Sequence, residues 1–194
     1  MIPEAKHAQS GARSADFSFD SLYEAYAPRI LALAYRMTFN RQTAEDLTQE
    51  IFIKIYRKLP EFRGEAHVYT WMYRIAVNHI LNYLKKQKRE RWIRLLELPL
   101  REAFKEGQPI GLQVADDTPS AQQQLETREL QHLVRQEILK LPPKYRVPFV
   151  LHRYEKMSHK EIGEILNISI SAVETRIHRA TKQLVNALRK KLEE

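Results

Sequence analysis

The sequence predicts an all-α protein with two small helical domains joined by a flexible linker. Only five of the 194 residues are glycine, against an average share of roughly 7%, which leaves few tight turns for a β-rich fold. Apolar residues recur at spacings of three and four from Phe17 to Arg94 and again from Leu125 to Leu192, the period of an amphipathic helix. The segment between these two stretches contains proline, glycine and aspartate residues, which are typical of a linker.

These boundaries divide the chain into four parts. We expect a disordered tail over residues 1–16, a first domain over 17–94, a linker over 95–124 and a second domain over 125–194. The front of the linker region, Trp92–Phe104, is too rich in leucine to be a plain tether. It is expected to pack on a domain or on a partner.

Composition narrows the class of protein and its location. The chain has no cysteine, which excludes disulfides and thiolate metal sites. Its 32 basic and 24 acidic residues give a net charge of +8, which favours a polyanionic partner, nucleic acid first and an anionic membrane second. No apolar run approaches the about 20 residues that span a bilayer, and residues 1–16 lack the apolar core of a signal peptide. We therefore expect a cytoplasmic protein that is not embedded in a membrane.

The first informative helix is predicted to begin at Thr43, because a hydroxyl followed by carboxylates suits a helix N-terminus. It should end at about Leu59, before Pro60. Its inward face is apolar, and its outward face carries an isoleucine among acidic groups. That exposed Ile53 indicates a protein contact, or else a stray apolar residue on a solvated face. The inward face comprises Leu47, Ile51 and Ile55, and the outward face comprises Asp46, Gln49, Glu50, Ile53 and Arg57.

A loop from Phe62 to Tyr69 leads into a second helix, which is predicted to begin near Thr70 or Trp71. One face of this helix is apolar, and another is a stripe of amide and basic side chains at spacings of three and four. Asparagine can pair with a base edge, and lysine or arginine neutralises phosphate, so the stripe has the chemistry of nucleic-acid recognition. The core face comprises Met72, Ala76, Ile80, Tyr83 and Leu84; the stripe comprises Arg74, Asn78, Asn82, Lys85 and Arg89.

Three aromatic residues, Tyr69, Trp71 and Tyr73, lie at the start of this helix. They could stack on unpaired bases, each stack being worth about 1 to 3 kcal/mol. Core packing is the competing interpretation, and for Trp71 and Tyr73 taken singly it is the favoured one.

The second domain contains a predicted helix-turn-helix. Ser158 and Glu161 fit a capping box, Gly163 permits close helix approach, and Asn167 suits a left-handed turn. Ser169 or Ser171 caps the next helix, whose apolar positions are Ile170, Val173, Ile177, Leu184 and Leu188. Upstream, Pro148 is tolerated only in a first helical turn. That places a helix start at Arg146 or Val147, with a kink as the alternative.

The exposed face of the last helix carries donors and cations suited to a major groove. Its members are Ser171, Thr175, His178, Arg179 and Lys182, flanked by Glu174 and Arg176. A helix-turn-helix can also serve as a protein-binding bundle, but the basic charge favours DNA.

The chain resembles the extracytoplasmic-function sigma factors of the sigma-70 family, small promoter-recognition subunits of bacterial RNA polymerase. Three ordered blocks carry the resemblance, which spans nearly all of Phe17 to Leu188 apart from the linker. They are Ala44-Glu-Asp-Leu-Thr-Gln-Glu50, then Phe62-Arg-Gly-Glu65 with Thr70-Trp-Met-Tyr-Arg-Ile-Ala-Val-Asn78, and Leu141-Pro-Pro-Lys-Tyr-Arg146 before the helix-turn-helix. The resemblance implies a region 2 bundle and a region 4 helix-turn-helix domain, without the separate middle domain of larger relatives.

The resemblance also implies roles for three surfaces. Asp46, Gln49, Glu50 and Ile53 correspond to the surface that grips core RNA polymerase. The loop and the stripe correspond to the elements that open and recognise the minus-ten promoter element. The face of the last helix corresponds to the element that recognises the minus-thirty-five sequence. The minus-ten set is Phe62, Arg63, Tyr69, Trp71, Arg74, Asn78, Asn82, Lys85 and Arg89, and the minus-thirty-five set is Ser171, Glu174, Thr175, Arg176, His178, Arg179 and Lys182.

The expected partners are core RNA polymerase and promoter DNA, and an anti-sigma factor is a further partner that relatives often have. No phosphate-binding glycine loop, nucleophile motif or metal-ligand cluster indicates an enzyme, a cofactor or a small-molecule substrate. Two rival functions remain open at this stage. One is a dimeric helix-turn-helix regulator that binds duplex DNA unaided. The other is an interaction protein that acts through the Trp92–Phe104 segment and does not need the basic stripe.

Overall fold

The structure, a computed structural model, describes residues 18–64, 66–97 and 121–193. Every regular element in these ranges is helical, which confirms the predicted fold class. The predicted tail 1–16 and most of the predicted linker lie outside the described residues. The helices are α1 (Phe19–Thr38), α2 (Arg41–Lys58), α3 (Val68–Glu97), α4 (Ala121–Lys140), α5 (Pro143–Arg153), α6 (His159–Leu166) and α7 (Ile170–Leu192), and one 3-10 turn (Leu59–Glu61) follows α2.

The first domain is built from α1, α2 and α3. Its core is mostly aliphatic and also includes buried aromatic rings such as Phe52 and Tyr73. Each fully buried aliphatic side chain contributes about 1.5 to 3 kcal/mol to folding. The predicted inward faces of α2 and α3 supply much of this core, although Tyr83 and Leu84 are only half-buried. The fully buried members include Ile30 and Leu33 of α1, Ile51 and Ile55 of α2, and Met72 and Ile80 of α3.

The start of α2 corrects the sequence analysis. The helix is capped by Asn40 rather than by Thr43, and the Thr43 N–H donates to the Asn40 side-chain oxygen at 2.8 Å. An asparagine oxygen satisfies a free amide as well as a hydroxyl does, so the helix begins at Arg41, two residues early. Its end matches the prediction, because the 3-10 turn that contains Pro60 follows Lys58 directly.

The third helix is longer than predicted at both ends. It begins at Val68, ahead of the expected start at Thr70 or Trp71, and continues to Glu97, beyond the expected domain end at Arg94. Its extension takes up the first three residues of the predicted linker. The domain boundary therefore lies within a helix rather than in an irregular stretch.

The predicted start of α5 at Arg146 or Val147 is wrong. The helix begins at Pro143, and Pro148 lies inside it as the sixth residue. Pro143 at the first helical position has the backbone angle that a helix start requires. Pro148 lacks an N–H, so the carbonyl of Lys144 loses its usual partner within the helix.

The helix-turn-helix forms as predicted. The Ser158 oxygen accepts from the Glu161 N–H while the Glu161 carboxylate accepts from the Ser158 N–H, which completes the capping box. Asn167 adopts a left-handed conformation with φ of 52°, and Ser169 caps α7. A Cβ atom at Gly163 would lie 2.9 Å from the Ile168 carbonyl oxygen, so the close approach requires glycine. Ile170 departs from the prediction, since its side chain is 49% exposed.

The two domains pack against each other, and one apolar cluster includes buried side chains of both. A second, smaller cluster lies within the second domain, between α4 and α7. The Glu155 carboxylate accepts from the Arg36 guanidinium at 2.8 Å and from the Tyr73 hydroxyl at 3.0 Å. The buried Arg146 of α5 donates to the Met37 carbonyl at the end of α1 at 2.8 Å. Polar bonds from three helices therefore hold the second domain against the first.

Candidate functional site

The outward face of α2 is open to solvent. Asp46, Gln49, Glu50 and Ile53 are all exposed, and Ile53 has 51% of its surface accessible. A group of aromatic rings from α1 and α2 adjoins this face. Phe19 and Tyr56 meet edge to face with ring centroids 5.1 Å apart, and Tyr56 is 63% exposed. The sequence analysis missed this aromatic group, because its rings come from two helices and meet only when those helices pack.

His79 of α3 contacts the same face of α2. Its Nε2 atom lies 2.7 Å from a Glu50 carboxylate oxygen, and its Nδ1 atom lies 2.6 Å from the Lys54 ammonium. No local sequence pattern places His79 there, since the contact depends on how α2 and α3 pack.

The amide and basic stripe of α3 is a continuous exposed surface. Arg74, Asn78, Asn82, Lys85 and Arg89 are all exposed, as the helical spacing predicts. Among the residues that the structure describes, only the first of them has a hydrogen-bond partner in the second domain. Arg74 donates to the Glu164 carbonyl of α6 at 2.7 Å, so α6 covers one end of the stripe.

The aromatic residues before and within this helix are packed to different depths. Phe62 and Tyr73 are buried, with 6% and 0% of their surfaces accessible. Trp71 is half-buried and contacts the Phe62 ring at 5.0 Å, whereas Arg63 of the same loop is exposed. Core packing is therefore correct for Tyr73. In this arrangement of the domains, Phe62 has no free face for a base.

Tyr69 and Tyr73 form a tilted aromatic pair whose ring centroids lie 4.6 Å apart, with 49° between the ring planes. Burial is the main cause that raises the pKa of both hydroxyls, and the Glu155 carboxylate raises the pKa of both further. Both side chains therefore stay neutral at physiological pH. Tyr69 is half-buried and is the member of the pair nearer to solvent.

The exposed face of α7 carries the predicted major-groove residues. Six of the seven are exposed, and Arg176 is half-buried; the exposed ones are Ser171, Glu174, Thr175, His178, Arg179 and Lys182. Two long contacts join side chains of this face to neighbouring helices. Arg179 donates to the Tyr145 hydroxyl at 3.4 Å, and this bond is the first cause that lowers the pKa of Tyr145. Glu174 lies 3.4 Å from the His159 ring nitrogen of α6.

The part of the chain that the structure describes contains no group of three or more histidines and carboxylates able to hold a metal ion. Within those same residues, no helix is both long enough and apolar enough to cross a membrane.

Comparison with known proteins shows the family. Residues 22–90 match Sigma-70 region 2, and residues 131–184 match Sigma-70, region 4. The chain is 37% identical over 172 residues to the ECF RNA polymerase sigma factor SigW of Bacillus subtilis, covering 89% of each chain. It is 31% identical over 169 residues to the ECF RNA polymerase sigma-E factor of Escherichia coli, covering 87% of this chain and 85% of the relative.

Two solved structures share the fold. The sigma factor RpoE of Bartonella quintana, in complex with the anti-sigma factor NepR, matches with a TM-score of 0.66 at 18% identity, covering 88% of this chain and 96% of that one. CnrH, in complex with the cytosolic domain of CnrY, matches with a TM-score of 0.60 at 20% identity, covering 91% and 93%.

Two helical domains in this order, the second a helix-turn-helix, define a protein of the sigma-70 class. The chain belongs to the extracytoplasmic-function sigma factors of that family. It is a non-enzymatic subunit that directs transcription initiation by RNA polymerase.

Proposed function

We propose that the outward face of α2 binds core RNA polymerase through Asp46, Gln49, Glu50 and Ile53. The supporting observation is Ile53, an aliphatic side chain half open to water between exposed acidic groups. Apolar residues of this kind, surrounded by polar ones, mark protein contacts when they form part of a patch. The adjoining exposed Tyr56 enlarges that patch.

The first domain, residues 17–94, is proposed to open and recognise the minus-ten element. The exposed stripe of α3 supplies cations for phosphates and two asparagine amides for base edges. Arg63, Tyr69 and Trp71 lie at the start of this stripe and can reach an unstacked base. Phe62 has a supporting role, because its buried ring packs beneath Trp71.

The second domain, residues 125–194, is proposed to recognise the minus-thirty-five element through α7. Recognition helices of helix-turn-helix proteins place their N-terminal residues against base edges. The exposed polar side chains of this face begin at Ser171, two residues after the cap at Ser169, and continue to Lys182.

An anti-sigma factor is a proposed further partner. Both structural neighbours were solved in complex with a second protein, one of them described as an anti-sigma factor. The proposed location is the bacterial cytoplasm, where RNA polymerase acts.

A binding experiment tests the polymerase face. Wild type and Ile53→Ala are each mixed with sigma-free core polymerase, co-elution is quantified, and transcript starts are mapped on a genomic DNA library. We expect discrete starts from wild type and an affinity for core that falls about tenfold in Ile53→Ala, since truncating a buried interface aliphatic costs about 1 to 2 kcal/mol.

The matched control is Leu130→Ala, which removes an aliphatic side chain of similar exposure from α4 in the second domain. This control should co-elute as wild type does. Equal affinities of the Ile53 and Leu130 variants would place the polymerase contact elsewhere.

A further inference from the structure

The His79 ring joins two helices at the edge of the proposed polymerase face. It belongs to α3, its side chain is 11% exposed, and it contacts two long side chains of α2. Both partners, Glu50 and Lys54, are themselves exposed. An almost buried ring therefore anchors two side chains that reach into solvent.

The two contacts define the protonation state of the ring. Lysine ammonium can only donate, so His79 Nδ1 must accept at 2.6 Å. An ionised carboxylate can only accept, so His79 Nε2 must carry the proton that it donates to Glu50 at 2.7 Å. Both bonds exist together only when the ring is neutral and protonated at Nε2.

The His79 ring takes the place of a direct contact between Glu50 and Lys54 of α2. Glu50 and Lys54 are four residues apart on α2, a spacing at which glutamate and lysine commonly form a direct ion pair. Here each bonds to the ring between them, which fixes both side chains in one arrangement. Side chains fixed before association lose less conformational freedom when a partner binds.

We propose that His79 is a positioning residue of the polymerase-binding face, holding Glu50 and Lys54 in the arrangement that core polymerase meets. The inference rests on the proposed assignment of the α2 face. Because His79 directly follows Asn78 of the promoter stripe, the same turn of α3 supports polymerase binding on one side and carries a promoter residue on the other.

The test compares the affinities of His79 variants for core polymerase. His79→Leu fills the space but makes neither bond, and we expect its affinity to fall about threefold to tenfold, as two long side chains become free to move. His79→Gln can donate from its amide nitrogen to Glu50 and accept from Lys54, so it should recover most of the affinity. His132→Leu, which removes a histidine that contacts Gln136 of the same helix, α4, should bind as wild type does.

A double-mutant cycle separates positioning from packing. Lys54→Met and Glu50→Gln are combined in the wild-type and His79→Leu backgrounds, with thermal unfolding measured for each protein. Their effects on polymerase affinity should be strongly coupled when His79 is present. When it is absent, the coupling should fall to at most that of a direct ion pair between Glu50 and Lys54. Imidazole nitrogen resonances of the free wild-type protein should show Nε2 protonated and Nδ1 bare.

The outcomes distinguish this inference from the function on which it rests. Equal coupling in both backgrounds, or a His79→Leu protein that binds as wild type does, would overturn the role of His79 while leaving the polymerase face intact. If Ile53→Ala and Glu50→Gln both bind normally, the proposed face itself is wrong. Should His79→Leu unfold early, His79→Met, which also fills the space and makes neither bond, replaces it in the cycle with the same expected loss of coupling.

Discussion

Arg179 belongs to the proposed minus-thirty-five surface, and its contacts show how weakly one side chain of that surface is held. It is exposed on α7, yet its guanidinium bonds to the Tyr145 hydroxyl of α5 at 3.4 Å. The bond is long and so restrains the arginine only weakly. The guanidinium can therefore exchange the phenol for a guanine edge or a phosphate at little cost.

Replacing Arg179 by alanine should weaken recognition of the minus-thirty-five element by about 1 to 3 kcal/mol, the usual worth of an arginine that contacts a base. The measurement is holoenzyme affinity for a promoter with an intact upstream element and for one in which that element is scrambled. The loss should appear only on the intact promoter. Arg189→Ala, at the exposed C-terminal end of the same helix, should affect both promoters alike; the same pattern from Arg179→Ala would make that residue a phosphate contact.

At the scale of the element, α3 combines a buried and an exposed role along its length. Met72, Ala76 and Ile80 bury one face in the first domain, while Arg74, Asn78 and Asn82 remain on another. A rigid helix supported by a core holds its exposed side chains in fixed register. The stripe can therefore present its amides and cations to one strand of DNA as a unit.

Asn78→Ala should slow promoter opening while leaving polymerase binding unchanged, because the amide is exposed on the proposed minus-ten surface and is not part of the core of the domain. Promoter opening is measured as the reactivity of unpaired thymines to permanganate. The measurement is made on a duplex promoter and on a promoter with a pre-opened bubble. The defect should be large on the duplex and small on the bubble. Gln87→Ala removes another exposed amide of α3 that lies off the stripe and should behave as wild type; equal defects in the two variants would contradict the assignment.

The elements that the sequence predicted well are those whose signals are local. The capping box at Ser158 and Glu161, the left-handed Asn167 and the constrained Gly163 each depend on residues within a few positions of one another. The start of α5 was missed because proline rules describe an isolated helix, whereas Pro148 is buried between packed helices. The contacts of His79 could not be predicted from the sequence, because they depend on how α2 and α3 pack.

At the scale of the whole molecule, Glu155 is the polar centre of the domain contact. Its side chain is 8% exposed and accepts bonds from Arg36 of α1 and Tyr73 of α3. The same contact buries Tyr73 and engages Arg74, at the start of the proposed minus-ten surface. Full use of that surface therefore requires the domains to separate.

Glu155→Gln should loosen this contact, because a neutral amide accepts more weakly from a guanidinium than a carboxylate does. Hydrogen bonds to charged groups are worth about 1.5 to 3 kcal/mol, so the free energy of unfolding should fall by about that amount, and small-angle scattering should show a larger radius of gyration. Glu164→Gln changes an exposed carboxylate of α6 and should alter neither quantity. An unchanged radius in Glu155→Gln would mean that the apolar contact alone holds the domains together.

Arg146 indicates how readily that separation can happen. The guanidinium is 6% exposed, donates to one carbonyl, and has an Nε atom for which the described residues offer no partner. Burial lowers its pKa, a sign that the cation is poorly solvated there. Separation of the domains exposes this cation to water. The favourable free energy of its hydration offsets part of the free-energy cost of exposing apolar surface. The contact between the domains therefore includes one buried group whose hydration favours separation. A partner that opens the contact needs to supply only the rest of the free energy of separation.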